Sequence, residues 1–305
     1  MKIVFMGSPD FAIPSLEKLV DSQHEILAVV SNPDKRRGRG SSTSPTPLKA
    51  KALELGLPTI DVEDLRSAEF EESLQNLNAD LFVVVAFRIL PVNILEIPKI
   101  GSVNLHASLL PKYRGAAPIH HAVMEGETET GCTIFFLDEK VDTGNIILQA
   151  KTPIGENETT GEVYNRLKKE GSELLLEAVD LIANGEPPLN PQDDTLATPA
   201  PKIFRDDCRI DFDQKAKKVH NKIRGLSPFP TAWTTWNGKK FNIYRSKLGP
   251  GVQADPGEIL IKEGKLLVAC KDGSVELIEV QLPGTKVMSA EDFMNGHEVE
   301  ETVFI

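Results

Sequence analysis

The chain has 305 residues, of which 40% are apolar and 26% charged, with a net charge of −11; this is the composition of a globular protein long enough for two domains. No apolar run approaches the roughly 20 residues that span a bilayer, and the opening Met1-to-Gly7 reads directly into a strand without a signal-peptide pattern, so a cytoplasmic protein without a membrane partner is expected. Three scattered cysteines (Cys132, Cys208, Cys270), with no Cys-x-x-Cys and no His at ligand spacing, argue against a disulfide framework or a zinc site, and no metal is expected.

In chain order, Lys2–Met6 is a short apolar strand, and Gly7-Ser-Pro-Asp10 turns into a helical pattern carrying Phe11, Leu16 and Leu19. Ile26–Val30 is a second buried strand and Leu48–Leu55 a second helix. Leu81–Phe87, Ser102–His106, Thr133–Leu137 and Ile146–Ala150 are further strands. A long helix spans about 161–182 and stops near Asn184-Gly185. Unbroken apolar strands alternating with helices predict a mostly parallel, Rossmann-like α/β sheet covered on both faces. A proline-rich polar stretch, 186–207, reads as a linker between a domain of residues 1–185 and one of residues 208–305. The second domain has one helix signal, 215–224, and five short strands: 232–236, 240–245, 258–261, 266–270 and 275–282. That pattern predicts a small, OB-like β-barrel.

Alternation along 102–106 puts Val103 and Leu105 on one face and Asn104 and His106 on the other. An amide and an imidazole thus share the C-terminal end of a strand, where open α/β sheets bind ligands. Asn104 suits an oxyanion donor and His106 a proton relay, the needs of acyl chemistry. The spacing equally fits a polar pair that holds a loop. Asp142-Thr-Gly144 is a polar turn whose carboxylate could orient His106 or accept a proton; as a motif it is also an ordinary turn.

Several segments carry a family resemblance. They are Phe5-Met-Gly-Ser-Pro-Asp-Phe-Ala12, Pro33-Asp-Lys-Arg-Arg-Gly-Arg-Gly40, Asn104-Leu-His-Ala-Ser-Leu-Leu-Pro-Lys-Tyr-Arg-Gly-Ala-Ala-Pro-Ile119, Glu129-Thr-Gly-Cys-Thr133, Val141-Asp-Thr-Gly144 and Lys286-Val-Met-Ser-Ala-Glu-Asp292. Over nearly its whole length the chain resembles the folate-dependent formyltransferases, and among them the branch that acts on initiator methionyl-tRNA. The resemblance implies formyl transfer from 10-formyltetrahydrofolate to the methionine α-amino group. It implies catalytic places for Asn104, His106 and Asp142. It also implies a folate-contacting turn at Ser108, Leu109, Leu110 and Pro111, and a pterin pocket along 81–90 that includes Phe87, Arg88, Ile89 and Leu90. The chain departs from the pattern at Ala86-to-Pro91, which is one residue short, and at Asn145, where the family has Asp. Arg88 is read either as a clamp for an acidic group or as a solvated side chain.

Residues 209–250 hold ten basic side chains against two acids, a local excess of positive charge inside an acidic chain. Lys217, Lys218, Lys222 and Arg224, with Arg36, Arg37 and Arg39 of the Gly/Ser-rich loop, are the candidate phosphate contacts for a tRNA partner. His120 and His121 are expected to pack or to lie at the surface, and Trp233 and Trp236 to pack. A monomer is expected. The alternatives are a formyltransferase for an aminosugar nucleotide, one for glycinamide ribonucleotide, and a non-catalytic tRNA- or folate-binding protein.

Overall fold

A computed structural model describes all residues except 37–42, 186, 300–302 and 305. The chain divides into two compact units. Unit 1 comprises Met1–Gly115, Gly131–Thr152 and Tyr164–Pro199; unit 2 comprises Ala116–Thr130, Pro153–Val163 and Ala200–Ile305. Two segments from within the first 185 residues therefore group with the C-terminal part.

Unit 1 is built on a seven-stranded sheet. Its strands are β1 (Lys2–Gly7), β2 (Glu25–Ser31), β5 (Thr59–Asp61), β6 (Leu81–Val85), β7 (Gly101–His106), β8 (Glu129–Phe136) and β9 (Ile146–Pro153). The short strands β3 (Lys35–Arg36) and β4 (Thr43–Ser44) form a separate hairpin. The sheet order is β5-β2-β1-β6-β7-β8-β9. The first five strands run parallel, and β8 is antiparallel to β7. The order reverses between β1 and β6, a doubly wound topology whose ligand crevice lies at the C-terminal strand ends. β6, Leu-Phe-Val-Val-Val, is buried along its whole length, as a strand covered on both faces must be.

The helices of unit 1 begin with α1 (Ile13–Val20), α2 (Pro47–Glu54) and α3 (Ala68–Gln75). The single turn α4 (Val92–Leu95) follows. Thr46 and Ser67 cap α2 and α3 by accepting the N–H of Lys49 and Phe70. After α5 (Pro118–Met124), which belongs to unit 2, comes the 24-residue α6 (Thr160–Ala183). The expected strands and the long helix are all present; α3, α4 and β5 add to them.

The described part of the stretch read as a linker is extended apart from short 3-10 turns at Asp194–Leu196 and Asp206–Cys208, but residues 187–199 run along unit 1. Asn190 exchanges both backbone hydrogen bonds with Ile146 (2.8 and 3.0 Å), and Arg114 N donates to Thr198 O (2.9 Å).

Unit 2 carries a six-stranded antiparallel sheet. Its strands are β10 (Ala232–Trp236), β11 (Lys239–Leu248), β12 (Ile259–Lys262), β13 (Lys265–Cys270), β14 (Gly273–Gln281) and β15 (Met288–Ser289). They are ordered β10-β11-β14-β13-β12, with β15 on β14. The five expected strands all lie within it. Helices α7 (Ala216–Gly225) and α8 (Ala290–Gly296) pack on the sheet. Trp236, Phe241 and Phe293 meet edge-to-face, with Phe241 and Phe293 centroids 5.0 Å apart, at the centre of the core. In the Met288-Ser-Ala-Glu-Asp292 motif Ser289 is the N-cap of α8. Its Oγ accepts from Asp292 N (3.0 Å) and donates to Asp292 Oδ2 (2.8 Å).

Candidate active site

The parallel register sets Val84 beside Asn104 and Val85 beside Leu105. Asn104 Nδ2 donates to Val84 O (3.1 Å), so one of its two amide hydrogens is held by the neighbouring strand. His106, the last residue of β7, is buried beneath the turn that follows. Its Nε2 lies 2.8 Å from Tyr113 O. A carbonyl can only accept, so Nε2 carries a proton and Nδ1 is the ring nitrogen left for chemistry. Phe135 meets the imidazole edge-on at 6.5 Å and 90°.

The 108–115 turn is held by side chains. Ser108 Oγ donates to Lys112 O (2.7 Å). Thr133 Oγ1 donates to Ser108 O (2.7 Å) and accepts from Leu110 N (3.1 Å). Gln149 Nε2 donates to both Leu110 O and Thr133 Oγ1, each at 2.9 Å. Tyr113 adopts a left-handed conformation (φ 61°), and its N–H donates to Thr198 Oγ1 (2.9 Å). The predicted turn Ser108, Leu109, Leu110, Pro111 is therefore one fixed piece with the anchor of His106.

Asp142 stands on the loop between β8 and β9, also left-handed (φ 57°), a region Asp tolerates better than most L-residues. Its Oδ2 accepts from Gly115 N (2.8 Å) and lies 3.8 Å from His106 Nδ1. Both side chains are largely buried, 7% exposed for His106 and 13% for Asp142. Gly144 is required here: a Cβ would stand 1.7 Å from Phe136 O. A further residue, unmarked by any sequence motif, joins the loop. Gln192 Nε2 donates to the carbonyls of Asp142 and Gly144, both at 2.9 Å. Its Oε1 accepts from Arg114 Nε (3.2 Å) and a terminal guanidinium nitrogen (2.7 Å), which also reaches Asp194 (2.8 Å).

A cavity of about 100 Å³ opens beside Asn104 and Asp142, lined further by Phe87, Arg88, Ile89 and Leu90. The four predicted pocket residues and two of the predicted catalytic ones thus share one space. Arg88 is half-buried and bonded to backbone. Its guanidinium donates to Glu63 O (2.8 Å) and Val62 O and stacks near Phe87, 5.4 Å from the ring centroid. Ile89 is 75% exposed and Val141 47%. Among the described residues no cluster of three or more His, Cys, Asp or Glu is placed to hold a metal, and no helix is long and apolar enough to cross a membrane.

The basic residues in unit 2 separate. Lys217 and Lys218 are exposed. Lys222 is half-buried, its Nζ donating to Arg209 O (2.6 Å). Arg224 is a correction to the sequence expectation: it is 4% exposed, and its Nε and Nη1 donate to Asn221 Oδ1 and to the carbonyls of Gly155 and Glu158. Burial pulls its pKa below the ordinary guanidinium value. It ties α7 to the 155–158 segment, so most of its donors serve the fold rather than a phosphate. Arg36 has its backbone in β3, while Arg37 and Arg39 lie outside the described residues. Trp236 is core, and Trp233 donates Nε1–H to Arg205 O (2.9 Å). His120 and His121 bond the carbonyls of Phe229 and Pro201.

The doubly wound sheet thus carries an amide, an imidazole and a loop carboxylate near the C-terminal ends of its strands, the place where α/β enzymes bind their ligands. Residues 1–179 match the formyl transferase family and residues 202–298 its C-terminal domain, and the chain belongs to that family. It is 46% identical over 310 residues to the methionyl-tRNA formyltransferase of Chlorobium phaeovibrioides, covering 99% of this chain and 97% of that protein. It is 42% identical over 320 residues to the one from Porphyromonas gingivalis, covering 100% and 98%. The fold also matches an N-formyltransferase from Helicobacter canadensis solved with folinic acid and dTDP-3-aminofucose. That match has a TM-score of 0.66 at 24% identity, covering 91% of this chain and 98% of that one.

Proposed function

We propose that this protein transfers the formyl group of 10-formyltetrahydrofolate to the α-amino group of methionine esterified to initiator tRNA. The observation that carries the reading is that Asn104 and Asp142 line one cavity and Asp142 also faces the buried His106 at 3.8 Å, in a chain similar from end to end to methionyl-tRNA formyltransferases. The cavity suits the donor. Apolar Ile89 and Val141 stand uncovered where a ligand would cover them, with the Phe87–Leu90 segment along the wall.

10-Formyltetrahydrofolate supplies the formyl group and departs with a proton on N10. Asn104 keeps one Nδ2 hydrogen on Val84 O and offers the other to the formyl oxygen as negative charge builds there. His106, its Nε2–H fixed by Tyr113, exchanges its proton through Nδ1: protonated, it stabilises the oxyanion and then delivers the proton to the leaving nitrogen. Asp142 holds a water that takes the proton shed by the attacking amine. Ser108, Leu109, Leu110 and Pro111 contact the folate.

The domain division that goes with this reading is a catalytic part at 1–185, the segment 186–207, and a tRNA-binding part at 208–305. Lys217 and Lys218 are its exposed phosphate contacts, with Lys222 beside them and Arg36, Arg37 and Arg39 on the other basic loop. The enzyme acts in the cytoplasm as a monomer.

The test is radiolabelled formyl transfer to methionyl-initiator tRNA, a UDP-aminosugar and glycinamide ribonucleotide in parallel. Labelling of tRNA alone is expected, and labelling of a sugar but not of tRNA overturns the reading. The KM for tRNA should rise steeply with salt and rise further in a Lys217→Ala/Lys218→Ala variant.

A further inference from the structure

We propose that Gln192, on the extended 187–199 strap, is a positioning residue for formyl transfer: it fixes the backbone that aims the Asp142 carboxylate at His106. The inference rests on the function proposed above, and it goes beyond the catalytic trio by adding a fourth residue from a segment that composition marks only as a connector.

The chemistry leaves the Gln192 amide one orientation. The Arg114 guanidinium only donates, so Oε1 must face it, and the two nitrogens 3.2 and 2.7 Å away do meet Oε1. The carbonyls of Asp142 and Gly144 only accept, so Nε2 must face them, and each is 2.9 Å away. Both Nε2 hydrogens are thereby used, one on each side of Thr143. The grip matters because Asp142 is left-handed at φ 57°, a conformation that costs an L-residue about 1 kcal/mol or more and needs its surroundings to hold it.

From that backbone the carboxylate reaches Gly115 N at 2.8 Å and His106 Nδ1 at 3.8 Å. The same strap supports the other side of the pair. Thr198 Oγ1 accepts from Tyr113 N (2.9 Å), and Tyr113 O holds His106 Nε2 (2.8 Å). Arg114, which orients Gln192, also pairs its backbone with Thr198 O (2.9 Å). One strap therefore sets both residues to which the proposed mechanism assigns a proton transfer.

Gln192→Glu and Gln192→Ala test the proposal. The glutamate keeps the shape and the acceptors for Arg114 but has no hydrogen for the two carbonyls, so it separates donation from packing. In both variants kcat should fall about 10- to 100-fold, the scale expected when a reacting group is misplaced by about 1 Å. KM for donor and acceptor should stay within about twofold. The pH profile of kcat should change shape, and the melting temperature should stay near the parent's.

Leu189→Ala, an exposed change on the same strap, should leave all four quantities alone. The ¹⁵N signals of the His106 imidazole, read without substrate, should move in the Gln192 variants and not in Leu189→Ala. Since kcat ratios are taken with whichever amine the parent formylates, a different acceptor sinks the function reading alone. Unchanged kcat with unmoved imidazole signals overturns the role of Gln192, as does a kcat loss matched by a fall in melting temperature with an unaltered pH profile.

Discussion

Two loops leave the same end of the unit 1 sheet from adjacent parallel strands, and they are built on opposite principles. The 108–115 turn after β7 is held by hydrogen bonds from Thr133, Gln149 and Thr198, and it presents few free polar groups. The 86–91 loop after β6 is held at Arg88 by two backbone carbonyls, and beyond that it leaves Ile89 uncovered and Ala86 in a left-handed conformation (φ 49°). The first is rigid because the groups it carries must meet reacting atoms in fixed geometry. The second is apolar and open, as a surface that a ligand closes should be. Chemistry and ligand binding are thus assigned to neighbouring loops with different kinds of support.

The sharpest way to break this division is at the centre of the rigid loop. His106→Ala removes the only proton-carrying ring in the site and should lower kcat by about 10²–10⁴, with little change in either KM. Retained turnover with intact tRNA binding would show that the buried imidazole serves only the turn.

Next comes the support itself. Thr133→Val keeps the shape of the side chain but leaves Ser108 O and Leu110 N without their partner. The expected cost is about 1–3 kcal/mol in urea denaturation, because buried groups are left unpaired. Turnover should also drop, since the Tyr113 carbonyl that fixes His106 rides on the same turn. A variant as stable as the parent would mean that Gln149 alone holds the turn.

The open loop should respond in the other kinetic parameter. Ile89→Ser removes an exposed apolar side chain that, on the proposed function, a bound donor would cover, so KM for 10-formyltetrahydrofolate should rise about five- to tenfold with kcat and melting temperature unchanged. A change in kcat without one in KM would place Ile89 against the reacting atoms rather than the pterin.

The parts of this arrangement legible in the sequence are those set by short-range pattern. Alternation along β7 was enough to pair Asn104 with His106, and the Asp142-Thr-Gly144 turn announced itself between two strands. The charges on α7 were countable but not their fates. Lys217 and Arg224 lie seven residues apart, nominally on one helix face, yet the 155–158 segment reaches α7 only from His220 onward and buries Arg224. Gln192 lies 50 residues beyond Asp142 in a Pro-rich polar stretch, where composition gives extended backbone and nothing about what that backbone lies against. Thr133 and Gln149 are polar residues within strands, marked by no motif, and their partners appear only once β7, β8 and β9 are side by side.

The smallest effect is the most specific test of how the open loop is made. Ala86 pays the left-handed penalty of an L-residue, about 1 kcal/mol, and its methyl is exposed, so no packing offsets it. Glycine relieves that strain but has a more disordered unfolded chain, which costs about 0.5–1 kcal/mol. Ala86→Gly should therefore be neutral or stabilising by a few tenths of a kcal/mol in urea denaturation. The reverse exchange on the loop that carries Asp142, Gly144→Ala, should be strongly destabilising, because its Cβ would overlap Phe136 O. Both exchanges involve one carbon on a loop beside the same cavity, and their opposite outcomes follow from Ala86 being exposed and Gly144 being packed against Phe136. A loss above about 1 kcal/mol for Ala86→Gly would mean that the 86–91 loop depends on a restricted backbone at Ala86 to keep Arg88 on Val62 and Glu63.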